Sequence, residues 1–524
     1  MMEAGELPHL SRVAQQGGQA RVATTSPAQT PVAWSTFATG VNPGGHGIFD
    51  FLSRNPQTYL PALGLNRYEQ KNPFVPPKVV NLRRGRPVWD VLSDAGIPST
   101  IIRCPCTYPP DQPKGKLLSG MGVPDLRGGF GTSTFYTTRD NVSQLESESV
   151  VQLTRAGGGA ITTNLLGPLS PKTRAPVELS VRLEVNSEDG SVAVHSNGEP
   201  RELTVKQGEW SDWLHVRFKT GMFQSTRGML RFFLVRVEPE LELYASPVNY
   251  DPAAPLFPIS SPEEYAGELQ AAIGDFHTAG MIEDHGGLNN GRIDEAAFLA
   301  QCDDAWKERE AMMLHGLNQF NEGMFFCLFD TPDRVQHMFW RFREQDHPAN
   351  KVNGYSDEFR RVIEEHYRVA DAMAGKALDA VDDETLFIAL SDHGFTSFQR
   401  GAHLNAWLHE QGLLALKKGI QPGEEAGDLL LNIDWENTKA YALGLSGIYL
   451  NLQGRESQGI VAPEDAARLK AKLTAELTGL TDDARQAVAI RSAKSREEVY
   501  SGPCAHEAPD VIINYADGYR ASWS

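Results

Sequence analysis

The sequence predicts an α/β protein in which one α/β core is interrupted by a β-rich insert. Three observations predict it. Short apolar runs at residues 100–103, 323–329 and 385–390 alternate with helical patterns at 86–96, 294–317 and 356–381. That alternation winds a mostly parallel sheet flanked by helices. Between residues 148 and 250 the texture changes: 177–185, 191–196 and 213–219 alternate apolar and polar with period two, and 230–235 and 241–245 are short apolar runs between turn residues. Strands at this spacing read as an antiparallel insert. Finally, 524 residues support a large core and two to four domains. The expected partition is residues 1–147 and 251–524 as the two parts of the core, with 148–250 as the insert.

Taken in order, residues 1–16 read as an amphipathic helix and 22–25 as a short strand. A loop then enters a helix near Pro31, which suits a first helical turn, with the Thr30 hydroxyl as its cap. A hydroxyl at a helix start also sits where an anion is welcome. The helix at 86–96 and strand at 100–103 continue the winding. After the insert, helices are expected at 262–273, 294–317 and 356–381. The run 385–390 reads as a buried strand, 399–408 as a loop running into a helix, 447–452 as a strand, 463–477 as a helix and 508–514 as the last strand. There are no repeats and no low-complexity segments.

Composition narrows the function. Apolar and charged fractions are ordinary for a globular protein. A formal charge of −18 argues against binding a nucleic-acid backbone, which needs concentrated Lys and Arg. It leaves room for a small anionic substrate held by bound cations. The five cysteines (Cys104, Cys106, Cys302, Cys327, Cys504) are odd in number and show no paired CxxC spacing, which reads as reduced thiols in a cytoplasmic protein. No window approaches the roughly 18 apolar residues of a membrane span, and no signal peptide is visible. Both ends read as cut: the chain opens inside a helix and stops at Arg520-Ala521-Ser522-Trp523-Ser524 without a closing element.

Two places carry chemistry. Leu390-Ser391-Asp392-His393-Gly394 follows the run 385–390, and open α/β sheets bind ligands beyond their strand carboxyl ends. Asp392 and His393 offer an oxygen and an imidazole nitrogen, a common pairing for zinc, though Asp-His-Gly also suits an ordinary turn or cap. The strand-like run 323–329 leads into Asp330-Thr331-Pro332-Asp333-Arg334-Val335-Gln336-His337. If Pro332 lies in a first helical turn, Asp333 and His337 are i and i+4, roughly 5–6 Å apart at Cβ and able to share a cation; a surface pair or an Asp cap fits the same residues. Two Asp-His couples and an upstream hydroxyl suggest a two-cation phosphoryl-transfer site.

The chain resembles the type I phosphodiesterase / nucleotide pyrophosphatase family of the alkaline phosphatase superfamily. The residues that carry the resemblance are Thr30-Pro31-Val32-Ala33-Trp34-Ser35-Thr36-Phe37-Ala38-Thr39-Gly40 with Asn42-Pro43-Gly44-Gly45-His46-Gly47, then Asp333 to His337, then Ser391-Asp392-His393-Gly394. The resemblance implies an alkaline-phosphatase-like fold. It makes Thr30 the nucleophile and, with Asp392 and His393, a ligand of one cation. It implies that Asp333 and His337 bind the second and that the pair is zinc, while the spacing alone also admits manganese or iron. The substrate implied is a small phosphate ester: a phosphodiester or nucleotide-type bond, cleaved through a phosphothreonine. Phosphomonoester or phosphonate hydrolysis on the same scaffold is the alternative, as is an inactive fragment acting through the insert. His46 also matches and reads as structural; His403 reads as a surface histidine. Phe51 stands where nucleotide pyrophosphatases carry an Asn. The family's further Asp, upstream of Met1, and further His, beyond Ser524, have no counterpart here, so the chain as it stands is expected to be poorly active.

Overall fold

Residues 99–102, mostly β-branched, and 324–327, apolar throughout, become neighbouring strands of a four-stranded sheet in this computed structural model. It describes residues 1–70, 77–154, 160–170, 173–196, 203–221, 224–421 and 430–522. The chain divides into two units, one of residues 1–17, 92–339 and 361–387, the other of 18–91, 340–360 and 388–524. The strands fall in an α/β arrangement, as the sequence predicts.

In the first unit, strands Ser260–Ser261, Gly115–Leu118, Ser99–Ile102 and Met324–Cys327 lie side by side in that order. The last three run parallel, with Ser99 opposite both Gly115 and Met324, and Ser260–Ser261 pairs antiparallel. Gly323 turns the chain into its strand at φ 89°, where an added Cβ would stand 2.1 Å from the Pro98 carbonyl oxygen, so only glycine fits. The helix Glu295–Leu317 is started by the Asp294 side chain, which accepts the Ala297 N–H at 2.8 Å. Its Trp306, Met313 and Leu317 pack with Met373 and Ala377 of the helix Val362–Asp379. Burying each large apolar side chain stabilises the fold by about 1.5–3 kcal/mol. The opening helix runs Pro8–Gln16, later than expected, because Pro8 suits a first turn; Asp371 accepts the amides of His9 and Leu10.

The same unit holds the β-rich strands. Ala160–Leu169, Pro176–Asn186, Ser191–Ser196 and Leu203–Lys206 form an antiparallel run, and Leu214–Lys219, Ser225–Leu230 and Asn249–Tyr250 a second. Ser133–Thr137 joins Glu148–Gln152 and Glu242–Ala245, so this β structure starts before residue 148. Glu148, buried, pairs with Arg292 at 2.6 Å.

In the second unit, strands Ala440–Leu443, Gly447–Leu450, Val511–Tyr515 and Ile490–Ser495 form an antiparallel sheet. Leu473 and Leu477 of the helix Pro463–Leu477 join its core, with Leu404 and Leu408 of Leu404–Glu410. Phe398–Ala402 pairs parallel with Gly518–Ala521; Trp523 and Ser524 lie outside the described residues. None of the five cysteines is in a disulfide. Among the described residues no helix is long and apolar enough to cross a membrane.

Two expected strands do not form. Residues 22–25 are irregular. So are 386–391, where Leu386 is 83% exposed, Ile388 65% and Leu390 48%. An apolar run becomes a buried strand only where neighbours complete its hydrogen bonds and cover its faces. Among the described residues no strand pairs with this one.

Candidate active site

Thr30 opens the helix Thr30–Thr39, with Gln29 before it and Pro31 in the first turn. The helix is held by burial on nearly every side: Pro31, Val32, Ala33, Trp34, Ser35 and Ala38 are all buried. It stops at Gly40, left-handed at φ 67°, whose N–H returns to the Thr36 carbonyl. The entry is anchored by Gln29, whose Nε2 donates to the buried Asp50 at 3.1 Å, while Asp50 also accepts the Leu445 and Leu52 amides. The expected cap does not form: no side chain caps this helix. With Thr30 inside the first turn, its hydroxyl no longer has the extended-backbone geometry that reaches the following amides. It turns elsewhere, and its Oγ1 lies 3.1 Å from His393 Nε2.

The turn 391–394 is pinned by short bonds, one local and one from a distant segment. Ser391 Oγ donates to the His393 carbonyl at 2.6 Å, and Thr24 Oγ1 to the Asp392 carbonyl at 2.5 Å. His393 Nδ1 stands 3.0 Å from the Gly394 carbonyl oxygen. A carbonyl only accepts, so Nδ1 carries a proton and Nε2 is the ring nitrogen that faces the Thr30 hydroxyl. Asp392 Oδ2 lies 3.4 Å from the same Nε2. An imidazole nitrogen and a carboxylate oxygen at this range are close enough to share one cation. Ligands about 2.0–2.1 Å from a tetrahedral zinc stand about 3.3–3.4 Å from one another. The hydroxyl, carboxylate and imidazole of Thr30, Asp392 and His393 therefore fit a divalent cation in kind and spacing.

The second couple is a helical pair, as the spacing predicts. Asp333 and His337 lie on the helix Thr331–Arg343, with Asp333 Oδ1 3.4 Å from His337 Nε2. The first turn is fixed by Thr331 Oγ1, which donates to the buried Glu283 at 2.7 Å, and Arg334 holds the other oxygen of Asp333. Burial, then the Asp330 charge, pushes the Glu283 carboxyl above its usual range. Sequence reasoning missed His285, two residues on. Burial first, then the nearby Arg334 and His337, pull its pKa down. A neutral imidazole beside this couple had no sequence signal except a histidine between an Asp and two glycines. Among the described residues no three His, Cys, Asp or Glu side chains gather at one point; each couple is two, and Thr30 supplies a third donor to the first.

His46 is structural. Fully buried, it accepts the Ile48 amide at Nδ1, so Nε2–H donates to Thr36 Oγ1 at 2.9 Å. Burial, with Arg83 nearby, pushes its pKa down to about 4. His403 is exposed, just ahead of the helix Leu404–Glu410.

The sequence model for type I phosphodiesterase / nucleotide pyrophosphatase matches residues 1–160 and 260–522. The chain belongs to that family. This type I phosphodiesterase / nucleotide pyrophosphatase family member is thus a phosphoryl-transfer hydrolase, as the resemblance implies. The unmatched stretch 161–259 is largely β-strand. Among solved structures, the family member is similar to phosphonoacetate hydrolase from Sinorhizobium meliloti 1021, crystallised with phosphonoformate. The two are 13% identical, with all of this chain and 78% of that one covered and a TM-score of 0.38. No curated protein matches it.

Proposed function

We propose that this enzyme hydrolyses a phosphodiester or nucleotide-type phosphate bond of a small substrate, with Thr30 as the nucleophile. The observation that carries the reading is the approach of Thr30 Oγ1 to His393 Nε2 at 3.1 Å, with Asp392 Oδ2 3.4 Å from that nitrogen. On this reading Thr30, Asp392 and His393 hold one zinc ion, and Asp333 and His337 hold a second.

A serine or threonine hydroxyl is a weak nucleophile at neutral pH. The bound cations supply acidification of that hydroxyl and neutralisation of phosphoryl charge. The chain's own residues do the rest. The helix Thr30–Thr39 turns its N-terminal amides toward the phosphoryl oxygens, where the macrodipole favours negative charge. The Gly394 carbonyl accepts the Nδ1–H of His393, which leaves Nε2 as the nitrogen that would hold the cation beside the Thr30 hydroxyl. Attack forms the Oγ1–phosphorus bond and breaks the bond to the leaving alcohol, which departs with the proton. Water then cleaves the phosphothreonine and restores the hydroxyl.

The test is hydrolysis of bis-(p-nitrophenyl) phosphate by zinc-loaded protein. Slow turnover is expected in the wild type and none in Thr30→Ala; equal turnover in the variant would remove Thr30 from the chemistry.

A further inference from the structure

His393 is flanked by an aromatic wall that the chemistry above leaves unused. The Phe395 ring packs against the His393 ring at 5.5 Å and stacks on Trp340 at 6.2 Å, with an interplanar angle of 19°. Both side chains keep part of their surface in solvent. The wall is held rigidly. Trp340 Nε1 donates to Glu344 at 3.0 Å, and Glu344 also accepts from Ser397 Oγ at 2.7 Å and Gln399 Nε2 at 3.1 Å. One carboxylate therefore ties the indole to the segment that carries Phe395. Burial pushes the Glu344 carboxyl up, but the bonds from Ser397, Trp340 and Gln399 outweigh it and hold it below its usual range, ionised at neutral pH. Arg343 adds a positive charge over the Trp340 ring at 5.1 Å.

Preorganised rings with a locked second layer are how proteins bind flat aromatic groups, because little ordering entropy remains to be lost. A phosphorus at Thr30 Oγ1 lies beside the His393 ring, and the wall begins one ring further out.

We infer that Phe395 and Trp340 form a leaving-group subsite for a flat aromatic ring, so that aryl or heteroaryl phosphate esters are the favoured substrates. This rests on the reading of Thr30 as nucleophile. Stacking on one side chain is worth about 5- to 100-fold in affinity.

The test is calorimetric binding to zinc-loaded Thr30→Ala protein, with bis-(p-nitrophenyl) phosphate and dimethyl phosphate as probes. The aromatic ester is expected to bind at least about tenfold more tightly. Phe395→Ala and Trp340→Ala, each added to that background, are expected to cut its affinity about five- to tenfold while leaving dimethyl phosphate unaffected; Phe395→Tyr is expected to keep the preference. Equal losses for both probes, no loss for either, or no binding of the aromatic ester at millimolar concentration would each overturn the subsite. Thermal unfolding of each variant separates a lost platform from a lost fold: a preference lost together with the fold is judged on Phe395→Tyr alone. Wild-type against Thr30→Ala turnover is measured separately. A ring preference beside a fully active Thr30→Ala sinks the nucleophile, whereas turnover that needs Thr30 without a ring preference sinks only the subsite.

Discussion

Thr30 Oγ1 and His393 Nε2 lie 3.1 Å apart although 363 residues separate them in the chain. The hydroxyl is free to be there because the helix it opens does without a side-chain cap. Thr30→Ala is therefore expected to cut kcat/KM for bis-(p-nitrophenyl) phosphate by about 10³-fold or more while leaving the melting temperature unchanged. Thr30→Ser is expected to keep measurable turnover. A large fall in melting temperature for Thr30→Ala would show that the hydroxyl serves the fold instead.

Metal removal gives an independent prediction. Dialysis against dipicolinate is expected to abolish turnover, and added zinc to restore it. His393→Ala and Asp392→Ala are each expected to weaken zinc binding by more than about 100-fold, since even an outer partner of a ligand costs 10- to 100-fold. Elemental analysis of the dialysed proteins checks this; undiminished zinc in both variants would refute the first couple as a cation site.

Acid stability follows from His46. Its pKa is about 4 when folded, against an ordinary 6.5. Below pH 6.5 the unfolded chain takes up a proton that the folded chain refuses, so this stability is complete above pH 6.5 and is lost as the pH falls toward 4. The loss amounts to at most about 3 kcal/mol. His46→Gln keeps a donor for Thr36 without the titration, and its urea midpoint is expected to fall less steeply than the wild type's between pH 6.5 and 4. Asp284 works in the opposite sense. Burial raises its carboxyl to about 7, so its contribution is present at low pH and fades as the pH rises to neutrality. Parallel acid limbs for wild type and His46→Gln would contradict the assignment.

Asp510 is fully buried. It takes two bonds from Arg455, at 2.6 and 3.1 Å, and the Leu450 amide at 2.8 Å. Removing Asp510 breaks a buried ion pair, leaves Arg455 with Glu456 alone at 2.9 Å and takes a carboxylate from Arg496 at 3.3 Å. Asp510→Ala is expected to lower stability by about 3 kcal/mol, read from urea unfolding; a loss below about 1 kcal/mol would mean that solvent already screens Arg455.

Local pattern carries much of the fold. The strand Ser191–Ser196 and the helix Pro463–Leu477 stand where period-two and period-3.6 patterns put them. The run 385–390 misled because an apolar string looks the same whether or not neighbouring strands cover it. Thr30 before Pro31 was ambiguous for a local reason: a shift of one residue turns a cap into a first-turn side chain and redirects its hydroxyl. The spacing of Asp333 and His337 was legible because it lies within one helical turn. The bond between Thr30 and His393 was legible only through resemblance. His285 and the Phe395–Trp340 stack depend wholly on tertiary packing, and no periodicity announces them.

The most direct measurement is a rapid acid quench of zinc-loaded protein turning over bis-(p-nitrophenyl) phosphate, followed by mass spectrometry of the peptide containing residues 30–39. A nitrophenyl phosphoryl group on Thr30, formed with the first equivalent of nitrophenolate, is the expected result. Steady turnover with Thr30 unmodified at every quench time, or with the adduct on another residue, would contradict it.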